Sequence, residues 1–201
     1  MENEFPLQDL LNKYKILLGS KSPRRKELLA QLDIPFEVIN ITGVKEVYPD
    51  TILPPMVPQY LSNLKFNGYR NQLQDNELLI TADTVVISDN EILGKPHSEQ
   101  EACAMLRRLA NHTHTVVTGV TLGTHDRQKG FSASSKVTFG PLSPKEIEYY
   151  VTKYKPLDKA GAYGIQEWIG CVAVEGIEGS FYNVMGLPVY RLFRELQHFS
   201  Y

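Results

Sequence analysis

The segment Leu78-Leu79-Ile80-Thr81-Ala82-Asp83-Thr84-Val85-Val86-Ile87 is apolar on both sides of a single carboxylate. Runs of this kind form central strands buried on both faces of a sheet. An ionised carboxylate there is costly without a cation or hydrogen-bond donors. Asp83 is therefore a candidate catalytic residue or metal ligand. The alternative is a structural aspartate held by backbone amides or a nearby lysine.

The rest of the pattern predicts a mixed β-sheet with flanking helices, an α/β fold. Ile16–Leu18 and Phe36–Ile39 are short strands. Ser22 caps a helix that starts at Pro23 and runs to about Leu32. Val57 to about Tyr69 is a helix with Val57, Leu61 and Leu64 on one face. Glu91–Leu93 returns from the central strand. Ser98 with Glu101, and Ser143 with Glu146, are capping boxes opening helices to about Leu109 and Tyr154. Thr115–Leu122 and Phe131–Phe139 alternate like half-buried paired strands. Cys171–Val174 reads as a strand and Pro188 to about Phe199 as a last helix. Four prolines within residues 49–58 mark a surface connection. With no repeat or linker, residues 1–201 read as a single domain.

Charge narrows the function classes. The 201 residues carry 21 Lys+Arg against 23 Asp+Glu, a formal net charge of −2. Any anion site must then be local, and neither nucleic acid nor an anionic membrane is attracted globally. No apolar run approaches the ~20 residues of a membrane helix. Met1-Glu2-Asn3-Glu4 lacks the basic-then-apolar order of a secretion signal. Two cysteines, Cys103 and Cys171, are too few for a disulfide scaffold and read as buried small apolar residues. The expectation is a cytoplasmic protein.

The densest chemistry is Gly19-Ser20-Lys21-Ser22-Pro23-Arg24-Arg25. Two guanidiniums in a first helical turn oppose the helix dipole unless an anion sits there. Free N–H groups, Ser20, Ser22, Arg24 and Arg25 could together cradle a phosphate. A solvated basic turn paired with a carboxylate elsewhere is the other reading. Ser88-Asp89-Asn90 is a hairpin tip. A turn centred on Asp89 sets Lys95 opposite Asp83. A two-residue turn at Asp89-Asn90 sets Pro96 there and Lys95 opposite Thr84. In both cases Lys95 lies near the acid, where it could keep Asp83 ionised and bind phosphate. Lys65 borders its helix's apolar face, like a snorkelling lysine, and Glu46 lies in a polar loop. Ala160-Gly161-Ala162-Tyr163-Gly164-Ile165-Gln166 permits close backbone approach to a ligand. Gln166 could read a base edge. The segment could equally be a plain surface loop. His112-x-His114 lacks a third ligand nearby and reads as strand-entry polarity.

Taken together, Ser20-Lys21-Ser22-Pro23-Arg24-Arg25-Lys26-Glu27-Leu28-Leu29, Ala82-Asp83-Thr84-Val85-Val86, Gly94-Lys95-Pro96, Asp158–Gln166, Gly179-Ser180 and Gly186-Leu187-Pro188 resemble the Maf family of nucleoside triphosphate pyrophosphatases, once described as septum-formation inhibitors. The likeness spans about residues 15–198. It implies two lobes around a cleft, similar to inosine triphosphate pyrophosphatases. It also implies hydrolysis to monophosphate and pyrophosphate with Mg²⁺ or Mn²⁺, and usually a homodimer. The family's base falls on Asp83, its lysines on Lys65 and Lys95, and a cleft acid on Glu46, which with Asp83 would hold the metal. Arg24, Thr84 and Gln166 match the branch acting on dTTP and UTP. The expected function is hydrolysis of dTTP, UTP and modified pyrimidine nucleotides. The alternative is a nucleotide-binding regulator of cell division whose hydrolysis is incidental.

Overall fold

The apolar run around Asp83 lies in the middle of a seven-stranded mixed sheet. In the computed structural model of the protein, residues 5–199 are described; the acidic residues 1–4 lie outside them. The elements are α1 (Gln8–Lys13), β1 (Lys15–Gly19), α2 (Pro23–Ala30), β2 (Phe36–Val38), α3 (Val57–Arg70), β3 (Glu77–Ser88), β4 (Glu91–Leu93), α4 (Glu99–Leu109), β5 (Thr113–Gly123), β6 (Gln128–Phe139), α5 (Pro144–Tyr154), α6 (Trp168–Ala173), β7 (Val174–Glu178), α7 (Phe181–Met185) and α8 (Val189–Phe199). The strand order is β2-β1-β3-β5-β6-β7, and β4 pairs with the far end of β3. β1 runs parallel to β2 and β3; the other pairings are antiparallel.

Burial on both faces gives the sheet two covering layers. On one face α3 packs Val57 and Leu61 against Val85, Ile87 and Val117, and Phe66 against Leu17 and Leu79. On the other face the core divides. One cluster joins Leu10, Leu28, Leu29, Leu192 and Leu196 to Ile16 and Ile80. A second joins Leu106, Ile147, Tyr150 and Ile169 to Val86 and Val116. Each fully buried aliphatic side chain contributes about 1.5–3 kcal/mol of transfer free energy.

Position 119 sets how closely α3 lies on the sheet. Gly119 pairs with Asp83 across the β3–β5 ladder. A Cβ at Gly119 would stand 2.2 Å from the Gln59 backbone nitrogen, so any side chain there would push the helix outward. Hydrogen bonds fix the helix laterally. Thr81 Oγ1 donates to Ser62 O at 2.8 Å, and Ser62 Oγ pairs with Thr121 Oγ1 at 2.6 Å.

Capping follows the sequence in part. Ser143 and Glu146 form a complete capping box. Ser98 Oγ accepts from Glu101 N at 3.1 Å, but the Glu101 carboxylate turns to His97 N at 2.7 Å. Ser22 occupies the N-cap position of α2 without a side-chain capping bond.

Three expectations are corrected. Cys171–Val174 is not a strand: its first three residues end α6, and β7 begins at Val174. Ile169 and Ala173, four residues apart, bury one helical face. Cys171 is therefore exposed, not buried, and Cys103 is only half-buried. The short helices α1 and α7 lie where no helix is expected. The two histidines lie at the entry to β5, His112 exposed ahead of the strand and His114 buried inside it.

His114 packs edge-on against Phe139 and Tyr163, with Nε2 2.7 Å from the Tyr163 hydroxyl. Burial pulls its pKa down from 6.5 to about 4. As pH falls, the unfolded chain therefore takes up this proton before the folded chain does. The stability contributed by neutral His114 is complete above about pH 6.5, and about 3 kcal/mol of it is lost on descending to about pH 4. Urea midpoints measured across that window should fall, and His114→Gln should flatten the fall. An unchanged slope in the variant would show that other groups carry it.

Candidate active site

A gap in the sheet creates the site. β1 ends at Gly19, opposite Thr81, and β4 pairs only from Val86 onward. Residues 82–85 of β3 therefore have an edge with no neighbouring strand. A cavity of about 750 Å³ opens there and is lined by Ala82, Asp83, Thr84, Val85 and Val86 in succession. Successive strand residues alternate between faces. The gap thus lets Asp83, on the α3 side, and Thr84, on the opposite side, open into one space.

On the α3 side, Lys65 Nζ lies 2.6 Å from Asp83 Oδ1 and 2.9 Å from Glu46 Oε2. The side chains of Lys65 and Asp83 are each 14% exposed and that of Glu46 is 55% exposed. One ammonium thus bridges two carboxylates. The cation beside Asp83 is thus Lys65, supplied by α3, and not Lys95. The hairpin has the two-residue turn, with Asp89 and Asn90 both at positive φ. Pairing ends at Leu93, so Lys95 leaves the ladder before it could stand opposite Thr84; it is exposed on the cavity wall.

On the opposite side, Arg25 is committed to the protein. Nε donates to Gly186 O at 2.8 Å, Nη1 to Ala82 O at 2.8 Å and Ser20 Oγ at 3.4 Å, and Nη2 to Thr84 Oγ1 at 2.9 Å. Four of its five N–H donors are used, which leaves one for a ligand. Desolvation lowers the guanidinium's pKa from its ordinary value, and the nearby Asp83 charge acts against that. Ser20 Oγ also accepts from Ser22 N at 3.2 Å. With both lone pairs engaged, it retains a hydroxyl hydrogen to donate. Ser22 and Arg24 line the same wall.

Arg24 Nη1 meets Asp158 Oδ2 at 3.1 Å, joining α2 to the glycine-rich segment. Gly161 holds that segment against β3. Its φ is +67°, and a Cβ there would meet Val86 at 3.0 Å. Its N–H donates to Gly94 O at 3.0 Å. Gln166 is exposed at the rim.

Sequence reasoning missed Lys159. It is 7% exposed, yet it reaches the cavity and pairs with Asp158 at 2.8 Å and Glu167 at 3.2 Å. Glu167 accepts from the Tyr150 hydroxyl, which itself accepts from Gly164 N at 3.0 Å. A lysine flanked by small residues in a packed turn is the available signal, since a buried charge requires partners. Burial works against the Asp158 charge, but hydrogen bonds from Lys159 and Arg24 prevail and hold its pKa below the ordinary value.

Six Lys/Arg against three Asp/Glu line this cavity, although the chain as a whole is net negative. The pocket is therefore built for a polyanion. The two carboxylates converging on Lys65 are hard oxygen donors. They suit Mg²⁺ or Mn²⁺, which take one or two carboxylates and complete their shell with phosphate oxygens and water. Among the described residues no cluster of three His, Cys, Asp or Glu could hold a metal unaided. No helix among them is long and apolar enough to cross a membrane.

Fold and cavity together define an α/β protein with a cationic cleft at a break in its sheet, the kind of place where such sheets bind phosphorylated ligands. The chain belongs to the Maf family: the family model described as "Maf-like protein" matches residues 15–199. It is 56% identical over 194 residues to a dTTP/UTP pyrophosphatase of Porphyromonas gingivalis, covering 96% of this chain and 98% of that one. It is 54% identical over 187 residues to the dTTP/UTP pyrophosphatase of Phocaeicola vulgatus, covering 93% and 97%. A Mycobacterium abscessus nucleoside-triphosphatase described as a dITP/XTP pyrophosphatase aligns over 92% of this chain and 98% of its own, at 15% identity and a TM-score of 0.44. That likeness is too distant to bear on the site.

Proposed function

We propose that this protein hydrolyses nucleoside triphosphates, chiefly dTTP, UTP and modified pyrimidine nucleotides, to the monophosphate and pyrophosphate. The observation that carries the reading is the convergence of Ser20–Arg25 with the Asp83–Lys65–Glu46 cluster on one cavity. The dTTP/UTP pyrophosphatase activity for which the relatives at 54–56% identity are named supports the same reading. Nothing in the cavity favours the division-regulator alternative.

In this mechanism the triphosphate lies among Ser20, Ser22, Arg24, the last free donor of Arg25, Lys65 and Lys95. Lys65 holds Asp83 through Oδ1, which leaves Oδ2 to accept from the incoming water. Asp83 takes that water's proton as the oxygen adds to the α-phosphorus. The bond from the α-phosphorus to the α–β bridging oxygen breaks, and pyrophosphate leaves. Lys65 and Lys95 stabilise charge on the phosphate oxygens as the bond breaks. A divalent cation held by Asp83 and Glu46 would supply further neutralisation of those oxygens. Arg24, Thr84 and Gln166 sort the base. The chain is read as one domain of two lobes, since a single sheet serves both clusters of its divided face. A cytoplasmic homodimer completes the proposal, to be checked by sedimentation and cell fractionation.

The test is a panel of standard and modified nucleoside triphosphates assayed for pyrophosphate with Mg²⁺ and with Mn²⁺. dTTP and UTP should head the panel by at least about tenfold in kcat/KM, the scale that one or two hydrogen bonds provide. Tight binding with negligible pyrophosphate release would favour the regulator.

A further inference from the structure

We infer that Thr84 selects the base with its main chain and not with its hydroxyl. This rests on the pyrimidine-nucleotide reading above and specifies how that site recognises its substrate.

The hydroxyl's one hydrogen is already committed. Thr84 Oγ1 accepts from Arg25 Nη2 at 2.9 Å and lies 2.9 Å from Thr118 Oγ1. Thr118, fully buried, donates its own hydrogen to Asn183 O at 3.1 Å. A hydroxyl has only one hydrogen. Thr118 therefore cannot donate to Thr84, and Thr84 must donate to Thr118. The order of protons is Arg25 to Thr84 to Thr118 to Asn183 O. Asn183 is itself fixed, its Nδ2 donating to Val116 O at 3.1 Å and Ser135 Oγ at 3.0 Å. The Thr84 side chain is thus the middle of a brace across the sheet.

The main chain of Thr84 is free. In an antiparallel ladder, bonded and non-bonded positions alternate. The two-residue turn makes Ser88 and Glu91 the bonded pair beside it, with Val86 next, opposite Leu93. The same alternation aims Thr84 and Ala82 at this edge. Arg25 Nη1 reaches Ala82 O at 2.8 Å, in keeping with that count. β4 ends at Leu93 and β1 at Gly19. Among the described residues no protein group pairs with the Thr84 N–H or C=O on this edge. Backbone groups at a packed site are ordinarily paired. Here they face the cavity at the break in the sheet.

An N–H beside a C=O complements a ring carbonyl beside a ring N–H, as one residue complements another across a ladder. Uracil and thymine present that imide edge at O4 and N3–H. The Thr84 N–H would donate to the ring carbonyl, and its C=O would accept from N3–H. The base thereby takes the place of the missing strand.

The test compares UTP with N3-methyl-UTP on the purified full chain. Methylation removes the ring donor and should lower kcat/KM by about 100-fold or more, because the peptide carbonyl is left unpaired. Thr84→Val removes the hydroxyl but keeps the main chain. Whatever its absolute activity, it should keep the UTP to N3-methyl-UTP ratio within about threefold of the parent, as a hydroxyl outside the contact requires. Thr118→Val should do the same. N3-methyl-UTP turned over within about threefold of UTP by the parent protein would overturn the proposal, since a lost hydrogen bond at a built site discriminates more strongly. So would a ratio that collapses in Thr84→Val. Absence of any UTP turnover would instead count against the enzyme reading. Calorimetric binding of UMP against N3-methyl-UMP then decides the base contact by the same ratio.

Discussion

Asp83→Asn is expected to lower nucleoside triphosphate turnover by about 10³-fold or more, the combined effect of losing a general base and an anionic ligand for the divalent cation. Asparagine has nearly the same shape, so the ladder from Asp83 to Gly119 and the packing around it survive. What changes is charge. Lys65 keeps Glu46 as its counter-ion but loses the shorter of its two contacts, at 2.6 Å. Pyrophosphate release, followed alongside circular dichroism and thermal unfolding, separates chemistry from folding. Near-parental turnover in a folded variant would remove Asp83 from the base role, while a collapsed fold would show its task to be structural.

Arg25→Lys should have the next largest effect, although it conserves charge. The guanidinium reaches Gly186 O, Ala82 O and the Thr84 hydroxyl from three separate nitrogens. An ammonium is a point donor and cannot span them. Loss of two charged hydrogen bonds at partly buried acceptors should reduce stability by about 2–3 kcal/mol. A loosened Ser20–Arg25 turn should also reduce kcat/KM by about 100-fold through misplacement of the phosphates. Urea unfolding reads the first effect and steady-state kinetics the second. If both stay within about twofold of the parent, the brace carries none of the load assigned to it.

The pattern of these residues explains which parts of the molecule are legible in the sequence. β3 is legible because ten consecutive residues carry one charged interruption and lead through Ser88 to Asp89-Asn90, whose side chains tolerate positive φ. α5 is legible because its capping box is local. α1 and α7 are not, since helices of six and five residues are held by packing and not by their own propensity. α6 is read as a strand because Cys171 and Val172 look apolar, whereas the face that buries is Ile169 and Ala173. The site divides in the same way. Arg24, Arg25 and Asp83 stand out because each violates a local rule, being a cation at a helix start or an acid in a strand. Lys65 reaches Asp83 only because a helix crosses the sheet there, and hairpin arithmetic points to Lys95 in its place. Lys159 hides among glycines and alanines, and its partners Asp158 and Glu167 become meaningful only when the turn is closed.

Gly119 carries no polar group, yet the ammonium of Lys65 depends on it. The helix bearing that lysine can lie against the strand pair only because position 119 offers bare backbone to Gln59. The reach of Lys65 is thus governed by a missing methyl, and a single added carbon could disarm the acid without altering any ionisable residue.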